Sequence, residues 1–185
     1  MGAEPAPARM DVDEFLRWAE DRPGRYELDD GLVFAMSPER VRHAEVKGAV
    51  HQALRAACEM SGAPCRALPD GMTVKVDRQT AYEPDALVYC GPRLPGDAIE
   101  VPAPVIVVEV LSPSTAYRDV GRKLAGYFQI ASVQHYLIVD PDRPVVVHHQ
   151  RGEGDLIRTR IVTGGILRLD PPGLDLVVAD LWPAE

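Results

Sequence analysis

The sequence predicts an α/β protein (α+β with a mixed sheet), and three observations carry that expectation. Val105-Ile106-Val107-Val108-Glu109-Val110-Leu111 is a run of β-branched and aliphatic residues on both pleat faces, the pattern of a central strand buried on both sides. Arg25-Tyr26-Glu27-Leu28 and Leu32-Val33-Phe34-Ala35-Met36 flank Asp29-Asp30-Gly31, and Asp-Gly between two such runs signals a hairpin. Two longer stretches, opening at Ser37-Pro38 and at Ser112-Pro113, repeat apolar residues at helical spacing and alternate with the strands.

In chain order, Met1 to Met10 is rich in Ala and Pro and reads as frayed, leaving 11–185 as one domain. Asp11 to Glu20 carries Val12, Phe15, Leu16 and Trp18/Ala19 as an approximate helical stripe, and the hairpin follows. Ser37 as N-cap and Pro38 in the first turn predict a long helix with Val46, Ala49, Val50, Ala53, Leu54 and Ala57 inward, ended by Ser61-Gly62. Strands are expected over Gly71 to Asp77 and Asp85 to Cys90, with Gly91 to Pro104 a loop before the Glu109 strand. Ser112-Pro113-Ser114-Thr115 predicts the cap of a second helix running to about Ala131, with Val120, Leu124, Phe128 and Ala131 inward. His135 to Asp140 is a further strand, Val145 to Gln150 and Leu156 to Val162 a hairpin, and Ile166 to Leu169 and Leu174 to Val178 short closing strands.

Composition narrows the function classes. No apolar run approaches a membrane span and no basic-then-apolar leader opens the chain, so a cytoplasmic protein without a membrane role is expected. Cys58, Cys65 and Cys90 are odd in number and widely spaced, which predicts reduced thiols and no zinc site. A formal net charge of −8 counts against strong non-specific binding of nucleic acid, without excluding a local basic patch.

Glu109 carries the chemical question. A carboxylate in an apolar strand must be paired or bound to a cation, because its burial otherwise costs several kcal/mol. Strand alternation places Val105, Val107, Glu109 and Leu111 on one face, and Ile106, Val108 and Val110 on the other. Asp85 opens the neighbouring apolar strand just after Pro84, so two acids at adjacent strand ends could share one hard divalent cation. Asp119, Lys123 and Tyr127 follow at helical spacing on one flank, from which Lys123 could reach the pair. Asp85, Glu109, a magnesium ion and a lysine would suit phosphodiester hydrolysis. A plain buried ion pair between Glu109 and Lys123 or an arginine satisfies the same residues. His148 and His149, adjacent on a strand, point to opposite faces and cannot share an ion. Ser112 reads as a turn hydroxyl, Arg158 and Arg160 as a solvated strand face, and Gly152-x-Gly154 as a hairpin turn.

Tyr26-Glu27-Leu28-x-x-Gly31, Met36-Ser37-Pro38, His43, Pro84-Asp85, Glu109-Val110-Leu111-Ser112-Pro113-Ser114-Thr115, Arg118-Asp119, Lys123, Tyr127 and Tyr136-x-x-Val139-Asp140-Pro141 stand in an order that resembles the Uma2 family, a branch of the PD-(D/E)XK nucleases. The resemblance spans about residues 11–180. It implies a restriction-endonuclease-like core with an N-terminal helix and hairpin and extra C-terminal strands. It further implies a Mg2+- or Mn2+-dependent endonuclease acting on nucleic acid, DNA first, with Asp85 and Glu109 as metal ligands and Lys123, Glu27 and His43 completing the catalytic set. The superfamily lysine, two residues after the acid, is Leu111 here, and its role falls to Lys123. Val133-Gln134-His135-Tyr136 is a smaller departure. A two-fold dimer is expected from the resemblance and from an exposed-looking Leu181-Trp182. The competing readings are a catalytically inactive binding module on the same fold, which Leu111 and the net charge favour, and a small-nucleotide phosphoesterase.

Overall fold

The computed structural model describes residues 9–112 and 120–183. Helix α1 (Val12–Glu20) begins at the N-cap Asp11, whose side chain accepts from the Glu14 backbone N–H while Glu14 accepts from that of Asp11, a reciprocal capping box. Strands β1 (Tyr26–Asp29) and β2 (Leu32–Ala35) form the expected hairpin. Its central residues Asp30 and Gly31 have φ of 49° and 77°, the left-handed geometry a tight two-residue turn requires.

Helix α2 (Val41–Ser61) starts later than the Ser37-Pro38 signal predicts. Residues 36–40 are not helical, and Arg40 stands at the N-cap with no side-chain capping bond. Proline disfavours helical geometry at the residue before it, and Glu39 pairs with Lys47 and Arg25 from outside the helix. The helix ends at Gly62 with φ 66°, as the sequence predicts.

Strands β3 (Cys65–Pro69), β6 (Ala86–Cys90), β7 (Pro104–Val110), β8 (His135–Val139), β9 (Val146–Arg151) and β10 (Ile157–Val162) form a six-stranded sheet ordered β10-β9-β8-β7-β6-β3. Only β7 and β8 pair in parallel, joined through helix α3 (Val120–Gln129), so the sheet is mixed as expected. A second sheet, β2-β1-β5-β4, uses the short strands β4 (Val74–Lys75) and β5 (Ala81–Tyr82). The sequence signal for one strand over Gly71 to Asp77 thus resolves into a two-residue β4, and β3 and β5 are additions. Strands β11 (Ile166–Leu169) and β12 (Leu174–Val177) pair with each other, and a 3₁₀ turn (Val178–Leu181) follows. None of the described helices is long and apolar enough to cross a membrane.

Helix α2, β11, β12 and the 3₁₀ turn cover one face of the large sheet, burying Val46, Val50 and Leu54 against Ile106, Val108 and Val110. On the opposite face Val107, Tyr136 and Ile138 pack in one cluster with Tyr127 of α3. Val105 departs from strict alternation: the β6–β7 register passes from Val88↔Ile106 to Tyr89↔Pro104, and Val105 packs on the α2 side. Helix α3 is turned relative to expectation. Lys123, Gly126 and Tyr127 are its buried residues among those described, Leu124 and Phe128 are half-buried, and Ala131 is exposed. A buried ammonium and phenol can face the sheet because acids await them there. Ser114, Thr115, Arg118 and Asp119 lie outside the described residues, as does the side chain of Val120.

Two further expectations are corrected. Leu181 is fully buried and Trp182 donates its indole N–H to the Asp140 carbonyl at 2.9 Å, so neither offers the exposed surface read as a dimer signal. Cys65 and Cys90 face each other across the antiparallel β3–β6 ladder and form a disulfide, whereas Cys58 is free and buried, its thiol pushed up to about 11 by burial. Without β3 in the sequence reading, nothing brought the pair together.

On the α2 side, a histidine relay pins the loop after β11. Arg160 approaches His148 Nδ1 at 3.2 Å, His148 Nε2 meets His135 Nδ1 at 2.9 Å, and His135 Nε2 meets the Pro171 carbonyl at 2.8 Å. Arginine can only donate and a carbonyl only accept, which fixes both imidazoles as neutral Nε2–H tautomers. Burial lowers His135 to about 4 and His148 to about 3. A lowered folded value means the unfolded chain gains protons first, so this stabilisation is complete above about 6.5 and lost as pH falls toward the folded values. We predict that the urea midpoint falls less between pH 7.5 and pH 5 in His148→Gln than in the wild type. Equal losses would contradict a neutral relay.

Candidate functional site

Strands β6 and β7 run antiparallel, so the start of one and the end of the other share an edge of the sheet. Asp85 immediately precedes β6, Glu109 lies near the end of β7, and the Val110 N–H donates to Asp85 Oδ2 at 2.7 Å. Around them lies a cavity of about 900 Å³, whose lining includes Glu27, Phe34, Arg40, His43, Tyr82, Asp85, Glu109, Arg122 and Lys123. All five residues named from sequence as candidates (Asp85, Glu109, Lys123, Glu27 and His43) are therefore brought to one cavity.

Lys123 is the hub of one half. Its ammonium lies 2.9 Å from Glu109 Oε1 and 2.9 Å from Glu27 Oε1, and the Tyr127 hydroxyl donates to the same Glu109 oxygen at 2.6 Å. The i, i+4 spacing of Lys123 and Tyr127 lets one helix face deliver both groups. Glu27 arrives from the hairpin, where strand β1 directs it toward α3, and it also accepts the Glu83 backbone N–H at 2.9 Å. Tyr82 lies 5.5 Å from the ammonium across its ring face. Gly126 permits that approach, since a Cβ there would stand 2.8 Å from the Tyr82 ring.

The second half is built on α2. His43 and Lys47 stand one turn apart. His43 Nε2 meets the Val110 carbonyl at 2.9 Å, and the same nitrogen is 3.8 Å from Asp85 Oδ2. Because a carbonyl accepts, Nε2 carries the proton, and Nδ1 is buried without a hydrogen-bond partner among the described residues. Lys47 Nζ contacts Glu39, lies 2.5 Å from Asp70 Oδ2 and 3.4 Å from Asp85 Oδ1. Arg25 closes the ring, binding Glu83 at 2.8 Å and also pairing with Asp70 and Glu39.

Electrostatics follow from burial. Glu27 is pushed up to about 7, first by loss of water and then by Glu109, with Lys123 opposing. Burial raises Glu109, Asp85 adds to the rise, and Lys123 and Tyr127 oppose it. Burial likewise raises Asp85 against the Val110 N–H, Lys47 and His43. Tyr127 is held well above its ordinary value, so it serves as a neutral donor. Glu27, Glu39, Asp70, Glu83, Asp85 and Glu109 together outnumber Arg25, Lys47 and Lys123. This excess of hard oxygen donors suits a further cation. Among the described residues no three His, Cys, Asp or Glu side chains converge closely enough to hold an ion by themselves. Two carboxylates completed by water remain the donor set that magnesium accepts. Glu109 Oε2 has no hydrogen bond among the described residues, which leaves it open to such a partner.

Lys47, Tyr82 and the Arg25 cluster were not singled out from sequence. Lys47 did leave a signal: it falls between Val46 and Val50 on a stripe that faces the core, where a lysine must have an acid partner. Tyr82 lies on a two-residue strand, and Arg25 meets its partners only through the tertiary fold.

Comparison with known proteins bears on the family and the fold. The model of the Uma2 family, described as "Putative restriction endonuclease", matches residues 12–179. The "Uncharacterized protein slr1290" of Synechocystis sp. is 27% identical over 172 residues, covering 92% of this chain and 90% of that protein. A crystal structure described as "a putative nuclease belonging to DUF820", from Anabaena variabilis, superposes with a TM-score of 0.71 at 18% identity, over 93% of this chain and 97% of that one. At that identity the likeness establishes a shared fold.

Removing Lys123 would leave Glu27 and Glu109 buried and facing each other. We expect Lys123→Ala to lose about 3–5 kcal/mol of stability at pH 8, measured by urea denaturation. The carboxyls would then hold protons more tightly in the folded than in the unfolded chain, so the deficit should shrink at pH 5. A loss below about 1 kcal/mol, or one independent of pH, would contradict the bridging role.

Proposed function

This chain belongs to the Uma2 family, and from that premise we propose that it is a divalent-metal-dependent nuclease hydrolysing phosphodiester bonds. The observation that carries this reading is the single ammonium of Lys123 held 2.9 Å from both Glu109 and Glu27 in the cavity that Asp85 also lines. Asp85 and Glu109 would hold the cation, magnesium or manganese, which when bound polarises the phosphoryl group and makes water a stronger nucleophile.

The chain's own groups do the rest. Lys123, buried and fixed from two sides, offers compact positive charge to the oxygens that gain charge as the phosphorus is attacked. It takes the place of a strand lysine, since Leu111 stands two residues after Glu109. Tyr127 orients Glu109 through its hydroxyl. Glu27, at about 7, exchanges a proton near neutral pH and can take one from water or return one to the leaving oxygen. His43 keeps its Nε2 proton on the Val110 carbonyl, which leaves Nδ1 as a buried acceptor on the Glu39 side of the ring, 3.8 Å from Glu39 Oε2. Lys47 holds Asp85 from behind.

One observation favours the alternative, a binding module without catalysis: Asp85 and Glu109 each already have a lysine partner, so the acids are satisfied as ion pairs. Incubation with plasmid, single-stranded DNA and RNA, with and without manganese, separates the readings. We predict manganese-dependent cleavage that Glu109→Gln abolishes and Lys123→Ala lowers by at least about a hundredfold in single turnover. Cleavage unchanged in both variants, or none by the wild type on any substrate, would leave the binding module.

A further inference from the structure

Phe34 is part of the cavity wall that neither core packing nor the chemistry above explains. The hairpin register sets Glu27 opposite Phe34 and Asp29 opposite Leu32. Residues directly opposite in an antiparallel pair project to the same face, with Cβ atoms about 4.5–5.5 Å apart. Leu28 and Val33 turn the other way and pack with Val12 and Phe15. Phe34 thus shares the face of the carboxylate that takes the Lys123 ammonium, and it lines the same cavity. The residue is nevertheless 48% exposed and belongs to none of the apolar clusters formed by the described residues.

The geometry points to Phe34 as a stacking platform for a nucleobase next to the scissile phosphate, and therefore to single-stranded or unstacked nucleic acid as the substrate class. This rests on the phosphodiester reading and adds the substrate to it. A ring standing one cross-strand position from Glu27 would meet the base of a nucleotide whose phosphate lies at Lys123. Each base offers a π-face, so such stacking accepts any sequence. A base inside a duplex keeps both faces in its own stack and is closed to the ring. The cavity, about 900 Å³, falls in the range of about 300–1,000 Å³ that encloses a small ligand, which is room for a splayed nucleotide.

Charge favours the same class. A chain of net charge −8 gains little from tracking a long duplex by phosphate contacts, whereas one stacked base supplies affinity that needs no basic surface. Among the described residues the exposed cations of the wall are few. Arg122 is held at 2.6 Å by Asp29, the next residue along the Glu27 face, and Arg40 stands at the start of α2. They suit a short backbone segment.

The test measures fluorescence anisotropy of a labelled single-stranded hexanucleotide with calcium, a larger cation that takes the same oxygen ligands. Phe34→Ala should weaken binding by about 5- to 150-fold, the weight of one base–aromatic stack. Phe34→Tyr should bind within about threefold of the wild type. An abasic strand of the same length should bind wild type and Phe34→Ala equally, and a duplex of the same sequence should bind no better than the abasic strand. Equal affinity of wild type and Phe34→Ala for the normal strand would overturn the inference. So would an equal loss on the abasic strand, tighter binding of the duplex, or no binding of any strand. A Phe34→Ala change confined to the mass seen by light scattering would instead make this face a contact between copies. Phe34-dependent binding without cleavage in manganese would uphold the platform and reject the hydrolytic reading, so the two failures are distinct.

Discussion

The Lys123 ammonium ties together three separate parts of the chain. Glu27 comes from the small sheet, Glu109 from the large one, and the lysine from α3. Each carboxylate is buried, and burial alone would push both toward the neutral form. The shared cation opposes that shift at both sites, and Tyr127 adds a donor to Glu109. This explains the orientation of α3: its Lys123–Tyr127 flank faces inward, and the more apolar Leu124–Phe128 line is left half-buried. Gly126 lets the helix settle against Tyr82, which also donates to Asp29 at 3.3 Å on the hairpin.

The two halves of the site differ in kind. Lys123 bridges acids that face the cavity. Lys47 lies behind Asp85 and connects it to Glu39, Asp70 and, through them, Arg25. Glu39 can take part because residues 36–40 stay out of the helix. The late start of α2 is therefore more than a displaced boundary: it leaves Arg40 and His43 at the cavity and Glu39 beside Lys47. Among the described residues carboxylates still outnumber cations across the two halves, and that imbalance is the physical argument for a metal ion between Asp85 and Glu109.

Much of this was legible in the sequence because single residues violated their local pattern. Glu109 in an apolar strand demands a partner, and Lys123 at helical spacing with Tyr127 supplies one. The Asp30-Gly31 turn, the Gly62 helix end and the mixed sheet follow from local rules that tertiary structure did not override. What escaped depends on contacts distant in sequence. Strand β3 looks like a loop until β6 pairs with it, and the Cys65–Cys90 bond escaped for the same reason. Leu181 and Trp182 looked exposed because the 3₁₀ turn that folds them onto α2 has no periodic signature. The His135–His148 pair is likewise visible only once β8 and β9 are neighbours.

The central claim is that Asp85 and Glu109 are poised to share a cation, with their lysines as placeholders of charge and not as final partners. Calorimetric titration of the protein with manganese tests it most directly. The account predicts one saturable site that disappears in Asp85→Asn and in Glu109→Gln and persists in Asp142→Asn, an exposed acid that pairs with Arg42 at 3.5 Å. Absence of a saturable site in the wild type, or a site that survives both substitutions, would contradict it.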